Sequence, residues 1–276
     1  MSTRRPLSAM AAILVAATAL AACGPGVAGD TPAGRDTGSE KAAVAARQPV
    51  YQDVSGQGVE LPRDDVDKAQ FSGVPVPGAA LLAWGASDEG SMCTLGVSVT
   101  VAGRPAFVTA GHCETQPAGG AQQLVAEAKR GGRLVDLGPL GRVKDEKDDP
   151  SAGGILEDAA VVHTPAGSPA RIAGTWPIVG SMSIDETRAL PIGTPICVDG
   201  AKSGVRCSAL ISAPGDRIRF SAITVEGDSG APVFVVAAGA ATVIGIHKGL
   251  DDLGASTATF IEPALARMGA TLLTAH

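Results

Sequence analysis

The sequence predicts an all-β domain, a sandwich or barrel of about 190 residues that begins near Gly78. Three observations predict it. Short apolar and β-branched runs are separated by glycine- and proline-bearing turns roughly every ten residues. Aromatic residues make up only 3% of the chain, so the core must be built from Val, Ile, Leu and Ala, which favours strands wherever β-branched residues alternate. One stretch alone reads as a helix, residues 262–268, with Pro263 suited to its first turn and Gly269 where a C-terminal cap belongs. No internal repeat of motif length is visible.

Taken in order, the chain opens with Arg4 and Arg5, an apolar run over residues 9–17, and small residues up to Ala22. A positive region, a short apolar core and small residues before a cleavage point describe an export signal over residues 1–22, too short to span a membrane. Leu20-Ala21-Ala22-Cys23-Gly24 resembles a bacterial lipobox. That resemblance implies a thioether-linked lipid on Cys23, palmitate on the same residue, and an extracytoplasmic protein anchored to the cell membrane, retained there or shed. Removing Arg4 and Arg5 takes the 22 basic residues to 20 against 28 acidic ones, a net charge of −8 with no basic stripe, which argues against a nucleic-acid partner. Residues 23–75 are assigned to a tether or pro-segment remnant. Within them, 24–46 lack any sustained period and read as a flexible tether, while 47–75 leave open short contacts or a remnant of a pro-segment.

From residue 76 the composition becomes that of a folded domain running to residue 276. Strands are predicted over 79–84, 93–101, 105–109, 124–128, 134–137, 159–163, 195–198, 207–211, 218–224, 232–236, 241–247 and 257–260. The charged run Asp145-Glu146-Lys147-Asp148-Asp149 reads as solvated. With Cys23 assigned to lipid, four of the five cysteines remain, and in an exported chain four cysteines read as two disulfides with three possible connectivities. Pairing Cys93 with Cys113 and Cys197 with Cys207 is the economical choice, since each closes a short loop. A zinc site is disfavoured because the chain has neither a C-x-x-C spacing nor a paired histidine, so no metal or cofactor is expected.

The chemistry gathers around Gly227-Asp228-Ser229-Gly230-Ala231-Pro232. A serine hydroxyl becomes a nucleophile only beside a base and a place to stabilise an oxyanion. A glycine-rich turn can aim consecutive N–H groups at one spot, although Gly-Asp-Ser-Gly is also ordinary hairpin-turn chemistry. Of the four histidines, His276 is terminal and His163 ends a buried-looking strand, whereas His112 follows a strand directly and has Cys113 beside it to tie the loop down. A base of this kind needs a buried carboxylate to orient it. Asp158 leads into the apolar run Ala159-Ala160-Val161-Val162 and is the candidate.

Thr109-Ala110-Gly111-His112-Cys113, Asp158-Ala159-Ala160-Val161 and Gly227-Asp228-Ser229-Gly230 resemble the three signature segments of chymotrypsin-fold serine peptidases, in that family's His, Asp, Ser order. Cys93-Thr94-Leu95-Gly96, the hairpin from Cys197 to Cys207, and Phe260-Ile261-Glu262-Pro263 are similar to segments of its bacterial streptogrisin and α-lytic branch. The resemblance covers residues 78–273. It implies a double six-stranded antiparallel β-barrel with a C-terminal helix and the active site between the barrels. It also implies Ser229 as nucleophile, His112 as general acid and base, Asp158 as its orienter, and the N–H groups of Gly227 and Ser229 as an oxyanion hole. A polypeptide substrate and a monomer are the corresponding expectations; the competing reading is a catalytically silent lipoprotein that uses the fold to bind a partner.

Two departures bear on the site. The chain has no Ile-Val-Gly-Gly terminus to pair with Asp228, and Val198 stands where the bacterial branch carries its arginine, which leaves Lys202 or Arg206 as candidate cations. For the substrate pocket, Ile223 occupies the position of the aspartate of trypsin-type enzymes, which argues against a Lys or Arg preference. Gly245-Ile246-His247 resembles a segment of glutamyl endopeptidases, in which that histidine and a threonine at the position of Thr224 bind a glutamate side chain. Lys248 would add to such a preference, and Glu226 at the pocket mouth would oppose it.

Overall fold

The computed structural model describes residues 49–275 except 65–67, 85–89, 114–121, 127–133, 140, 151–153, 165–168 and 214. The predicted signal 1–22, the lipidation site Cys23, the tether 24–46 and His276 lie outside the described residues. Among the described residues no helix is long and apolar enough to cross a membrane.

The first half contains β1 (Ala80–Trp84), β2 (Gly90–Thr94), β3 (Ser98–Val101), β4 (Arg104–Thr109), β5 (Gln122–Ala126), β6 (Leu134–Pro139), β7 (Gly141–Pro150) and β8 (Leu156–His163), with a 3-10 turn at Gly111–Cys113. β9 (Arg171–Ile172), β10 (Trp176–Ser181) and the short helix α1 (Ile184–Arg188) lead to the second half. That half holds β11 (Pro195–Gly200), β12 (Gly204–Ser212), β13 (Ile218–Phe220), β14 (Pro232–Ala237), β15 (Ala240–Leu250) and β16 (Ser256–Phe260). Helix α2 (Ile261–Met268) and β17 (Ala270–Leu272) end the chain.

Strands β11, β12, β13, β16, β15 and β14 pair in that order, and β14 pairs back onto β11, so the second half is a closed six-stranded ring. Ile196, Leu210, Phe220, Val233, Ile244 and Phe260 fill it, and closure leaves no sheet edge exposed. The first half is two sheets, β2-β1-β5-β6 and β17-β3-β4-β8-β7. They share one curved wall, because Leu95 N donates to Ala79 O on one side and Gly96 N donates to Val108 O on the other. Leu81, Leu95, Phe107 and Val162 pack inside that wall. This is the expected double-barrel architecture, with α2 at residues close to those predicted and Gly269 as its left-handed cap.

Four local expectations change. The strand predicted over 93–101 is divided at 95–97, where the chain passes between sheets. The strand predicted over 218–224 stops at Phe220, and Ile223 N is satisfied by the Ser256 hydroxyl instead of a ladder partner. The charged run 145–149 lies within β7, which pairs with β8 through main-chain bonds that need no apolar side chains. Residues 49–79 lie along the domain. Gln52 N donates to Val236 O, Gly56 N to Val205 O and Val59 N to Ala173 O. Val54 and Phe71 are buried, and Ala69 and Phe71 cluster with Ala80 and Ala201.

Candidate active site

The first half supplies a paired imidazole and carboxylate. Strands β4 and β8 are neighbours with Thr109 opposite Ala160, so the turn after β4 and the middle of β8 are brought together by a single strand pairing. His112 Nδ1 lies 2.7 Å from Asp158 Oδ2, and His112 N donates to Asp158 Oδ1 at 2.8 Å. The carboxylate is fully buried while the ring is about two-fifths exposed, so the pair has one dry end and one accessible end. An ionised carboxylate accepts only, which places a proton on Nδ1 and leaves Nε2 as the basic atom on the open side. The Cys93–Cys113 disulfide ties the His112 turn to β2. Its two sulfurs approach the ring but are bonded to each other, which leaves no thiolate there to bind a metal.

The second half supplies the serine turn, which abuts the His112 segment directly. A Cβ on Gly230, at φ +90°, would collide with Thr109 Oγ1 and with Thr94 O, so only glycine permits this approach. Thr94 N donates to Ser229 O at 2.7 Å, and Thr94 Oγ1 donates to Gly227 O at 2.9 Å. Ser229 Oγ donates to Lys248 O at 3.0 Å. Among the described residues the N–H groups of Gly227 and Ser229 donate to no internal acceptor, although both neighbours, Asp228 N and Gly230 N, are bonded to Val225 O and His247 O. Two adjacent unspent donors beside a hydroxyl are what an oxyanion would need.

Asp228 is fully buried and accepts from three main-chain amides. Oδ1 accepts from Lys202 N at 2.9 Å and Ser203 N at 3.1 Å, and Oδ2 accepts from Val225 N at 2.9 Å. Lys202 thus contributes its main chain to this carboxylate, and Arg206 is exposed. Three amides converging on one carboxylate form an anion nest, which favours a negative charge there. The approach requires Gly200, where a Cβ would collide with Asp228 Oδ1.

Of the residues assigned to a substrate pocket, Thr224 and His247 are buried, Ile223 and Lys248 are half-buried and Glu226 is exposed. Thr224 Oγ1 lies 2.9 Å from Ser256 Oγ. His247 Nδ1 lies 3.0 Å from Thr257 O, which can only accept, so Nδ1 carries the proton. Burial lowers the pKa of His247 to about 4, with His112 adding to the fall and Asp228 opposing it. The ring is therefore neutral at pH 7, with Nδ1–H as its donor. Sequence reasoning did not find Thr94, which joins both halves at the turn, or Asp199, a second buried carboxyl whose pKa burial raises to about 7, with Asp228 adding to the rise and Gln70, Ala173 N and Arg63 opposing it.

No protein-family model matches the chain, and no curated protein matches it. Solved structures of bacterial serine proteases are similar to it at low identity. Protease A of Thermobifida fusca is 22% identical over 72% of this chain and 98% of its own, with a TM-score of 0.47. A glutamic acid-specific serine protease, described as using a histidine triad in substrate binding, is 22% identical over 71% of this chain and 99% of its own, at 0.48. An α-lytic protease homologue is 22% identical over 71% and 98%, at 0.44. These likenesses concern the fold alone, and no assignment at the site rests on them.

Proposed function

We propose that the protein is a serine endopeptidase that acts outside the cytoplasm while tethered through a lipid on Cys23. The observation that carries the reading is the buried Asp158–His112 pair set against a serine turn with two unspent N–H donors. Ser229 Oγ turns from Lys248 O to His112 Nε2, gives up its proton there and attacks the carbonyl carbon of a peptide bond. The N–H groups of Gly227 and Ser229 stabilise the resulting oxyanion, and Asp158 stabilises the imidazolium. The imidazolium then protonates the leaving amine as the C–N bond breaks, leaving an ester on Ser229. Water, deprotonated by His112, hydrolyses that ester and restores the hydroxyl. A fluorophosphonate probe on the full-length protein tests this: a single adduct on Ser229, absent from Ser229→Ala, is the expected result.

One observation favours a second reading, a silent binding module. The Ser229 hydroxyl is bonded to Lys248 O rather than to His112. Lack of an adduct on folded protein would select that reading.

For specificity we propose glutamate before the scissile bond. With Nδ1 committed to Thr257 O, His247 Nε2 is the ring atom left for a ligand, and a carboxylate bound there would draw a proton onto it. Matched Glu and Gln peptides discriminate: KM for the Glu peptide should fall as pH drops from 7 to 5 while that of the Gln peptide stays level. Equal profiles would remove the preference.

A further inference from the structure

Residues 62–64 and 68–71 form the two arms of a small hairpin, marked by the bridge between Arg63 and Gln70, that lies against the turn joining β11 to β12. Three consecutive peptide units of that turn are bonded on both sides. Gly200 O accepts from Gln70 Nε2 at 3.1 Å, Ala201 O from Gln70 N at 2.7 Å, and Lys202 O from Arg63 Nη1 at 2.8 Å. The N–H ends of the same three units point the other way. Ala201 N donates to Thr94 Oγ1 at 3.0 Å, and Lys202 N and Ser203 N donate to Asp228 Oδ1. Each peptide is thus held with its carbonyl on the hairpin, and its amide on Thr94 for the first and on Asp228 for the other two.

We propose that Arg63 and Gln70 are positioning residues for the Ser229 turn, the hairpin serving as an internal clamp that keeps the Asp228 nest formed; this rests on the peptidase reading. A carbonyl that already accepts a strong bond polarises its own N–H, so the hairpin also strengthens the grip on Asp228. Gln70 is held to its task from behind, since Leu61 N donates to its Oε1 at 3.1 Å, and Arg63 is steadied by Glu60 at 2.7 Å. Ala69, Phe71 and Ala201 pack together beneath these bonds, so polar and apolar contacts hold the hairpin in one register. Arg63 and Gln70 therefore act on Asp228 at one remove, through the turn whose amides they hold in place. It follows that loss of this segment switches the site off rather than releasing it.

The test compares Arg63→Ala, Gln70→Ala and their combination with Arg63→Lys in the full-length protein. Amide hydrogen exchange at Lys202, Ser203 and Val225 reads the nest, and kcat, KM and the rate of fluorophosphonate labelling read the site. The expected result in the alanine variants is faster exchange at all three amides and an about tenfold fall in kcat and labelling rate with KM unchanged, since small misplacement of a reacting constellation acts on rate. Arg63→Lys, which keeps one donor and the fold, should recover most of the loss. Unchanged exchange at the three amides, or a lowered Tm with unchanged rates in the folded variants, overturns the clamp. If the double variant does not fold, Arg63→Lys and Gln70→Asn make the same comparison in smaller measure. If the unmodified protein takes no label, the peptidase reading fails and exchange alone decides the clamp.

Discussion

The two halves of the molecule hold their parts of the site in different ways. His112 and Asp158 are set by one strand pairing, β4 with β8, and by one disulfide next to the histidine. The serine turn has local bonds of its own, from Asp228 N to Val225 O and from Val225 N to Asp228 Oδ2, and is also held from a distance. Its peptide groups are fixed by Thr94 from β2, by the turn between β11 and β12, and through that turn by Arg63 and Gln70. A base pair made by two adjacent strands persists for as long as its sheet does. A turn assembled from four distant segments can lose its geometry while the fold remains, and it is there that activity is open to control.

The largest expected effect falls on the locally built half. Asp158→Asn keeps an acceptor for His112 N but turns an amide N–H toward Nδ1, which forces the wrong tautomer. On the peptidase reading kcat falls about 10⁴-fold with little change in the urea midpoint, because wrong-tautomer losses are of that order. A drop smaller than a hundredfold would separate Asp158 from the chemistry. Next come the disulfides. The chain-entropy relation gives about 3.3 kcal/mol for the 20-residue separation of Cys93–Cys113 and about 2.7 kcal/mol for the 10-residue separation of Cys197–Cys207. Stability alone barely distinguishes them, but activity should. Replacing the first pair with alanines loosens the turn carrying His112 and lowers kcat. Replacing the second leaves the three ladder positions between the cysteines and the 201–203 turn intact, and kcat of the folded enzyme stays close to that of the parent. Equal losses of kcat would erase the contrast between the halves.

Thr94→Val tests the assembled half at a smaller scale. Valine fills the same volume but strands Gly227 O and Ala201 N, both buried at the turn, so destabilisation of about 2 kcal/mol is expected from unmet hydrogen bonds. The informative readout is labelling of Ser229 below the unfolding transition. It should slow, since the Gly227 peptide loses its anchor.

Legibility in the sequence follows the same division. His112, Asp158, Ser229 and the four bridged cysteines are short motifs of special residue types; the structure pairs His112 with Asp158 and sets the turn that carries Ser229 against the segment before His112. The clamp was not readable, because Gln70 and Arg63 act on main-chain carbonyls, and a carbonyl leaves no mark in a sequence. The amide nest at Asp228 was hidden for a related reason: main-chain donors leave no mark in a sequence either. The burial of His247 was not readable either, since no spacing pattern reports it. β7 was hidden because a run of charged residues carries no apolar alternation to mark a strand. The elements β9, β10, α1 and β17 are too short or too mixed in pattern to stand out from turns.

The smallest effect sharpens the contrast within the second half, where two buried titratable groups pull in opposite directions. Asp199 rises from 3.8 to about 7 on folding, so the folded state binds its proton more tightly than the unfolded chain. That contribution is complete below pH 3.8 and is lost as pH climbs toward 7. His247 falls from 6.5 to about 4, so the folded state disfavours its proton. That contribution is complete above pH 6.5 and is lost as pH drops toward 4. Each gives a slope of about 1.4 kcal/mol per pH unit at most, and between pH 4 and 6.5 the two slopes have opposite signs. The parent protein should therefore show nearly level stability across that interval from these groups. Asp199→Asn removes the falling slope, so the urea midpoint should rise from pH 4.5 to 6.5. His247→Gln removes the rising one, and the midpoint should fall over the same range. Parallel profiles for all three proteins would mean that neither group changes its proton affinity on folding. Divergence of the Asn variant alone would place the burial penalty at Asp199, directly behind Gln70 and the clamp.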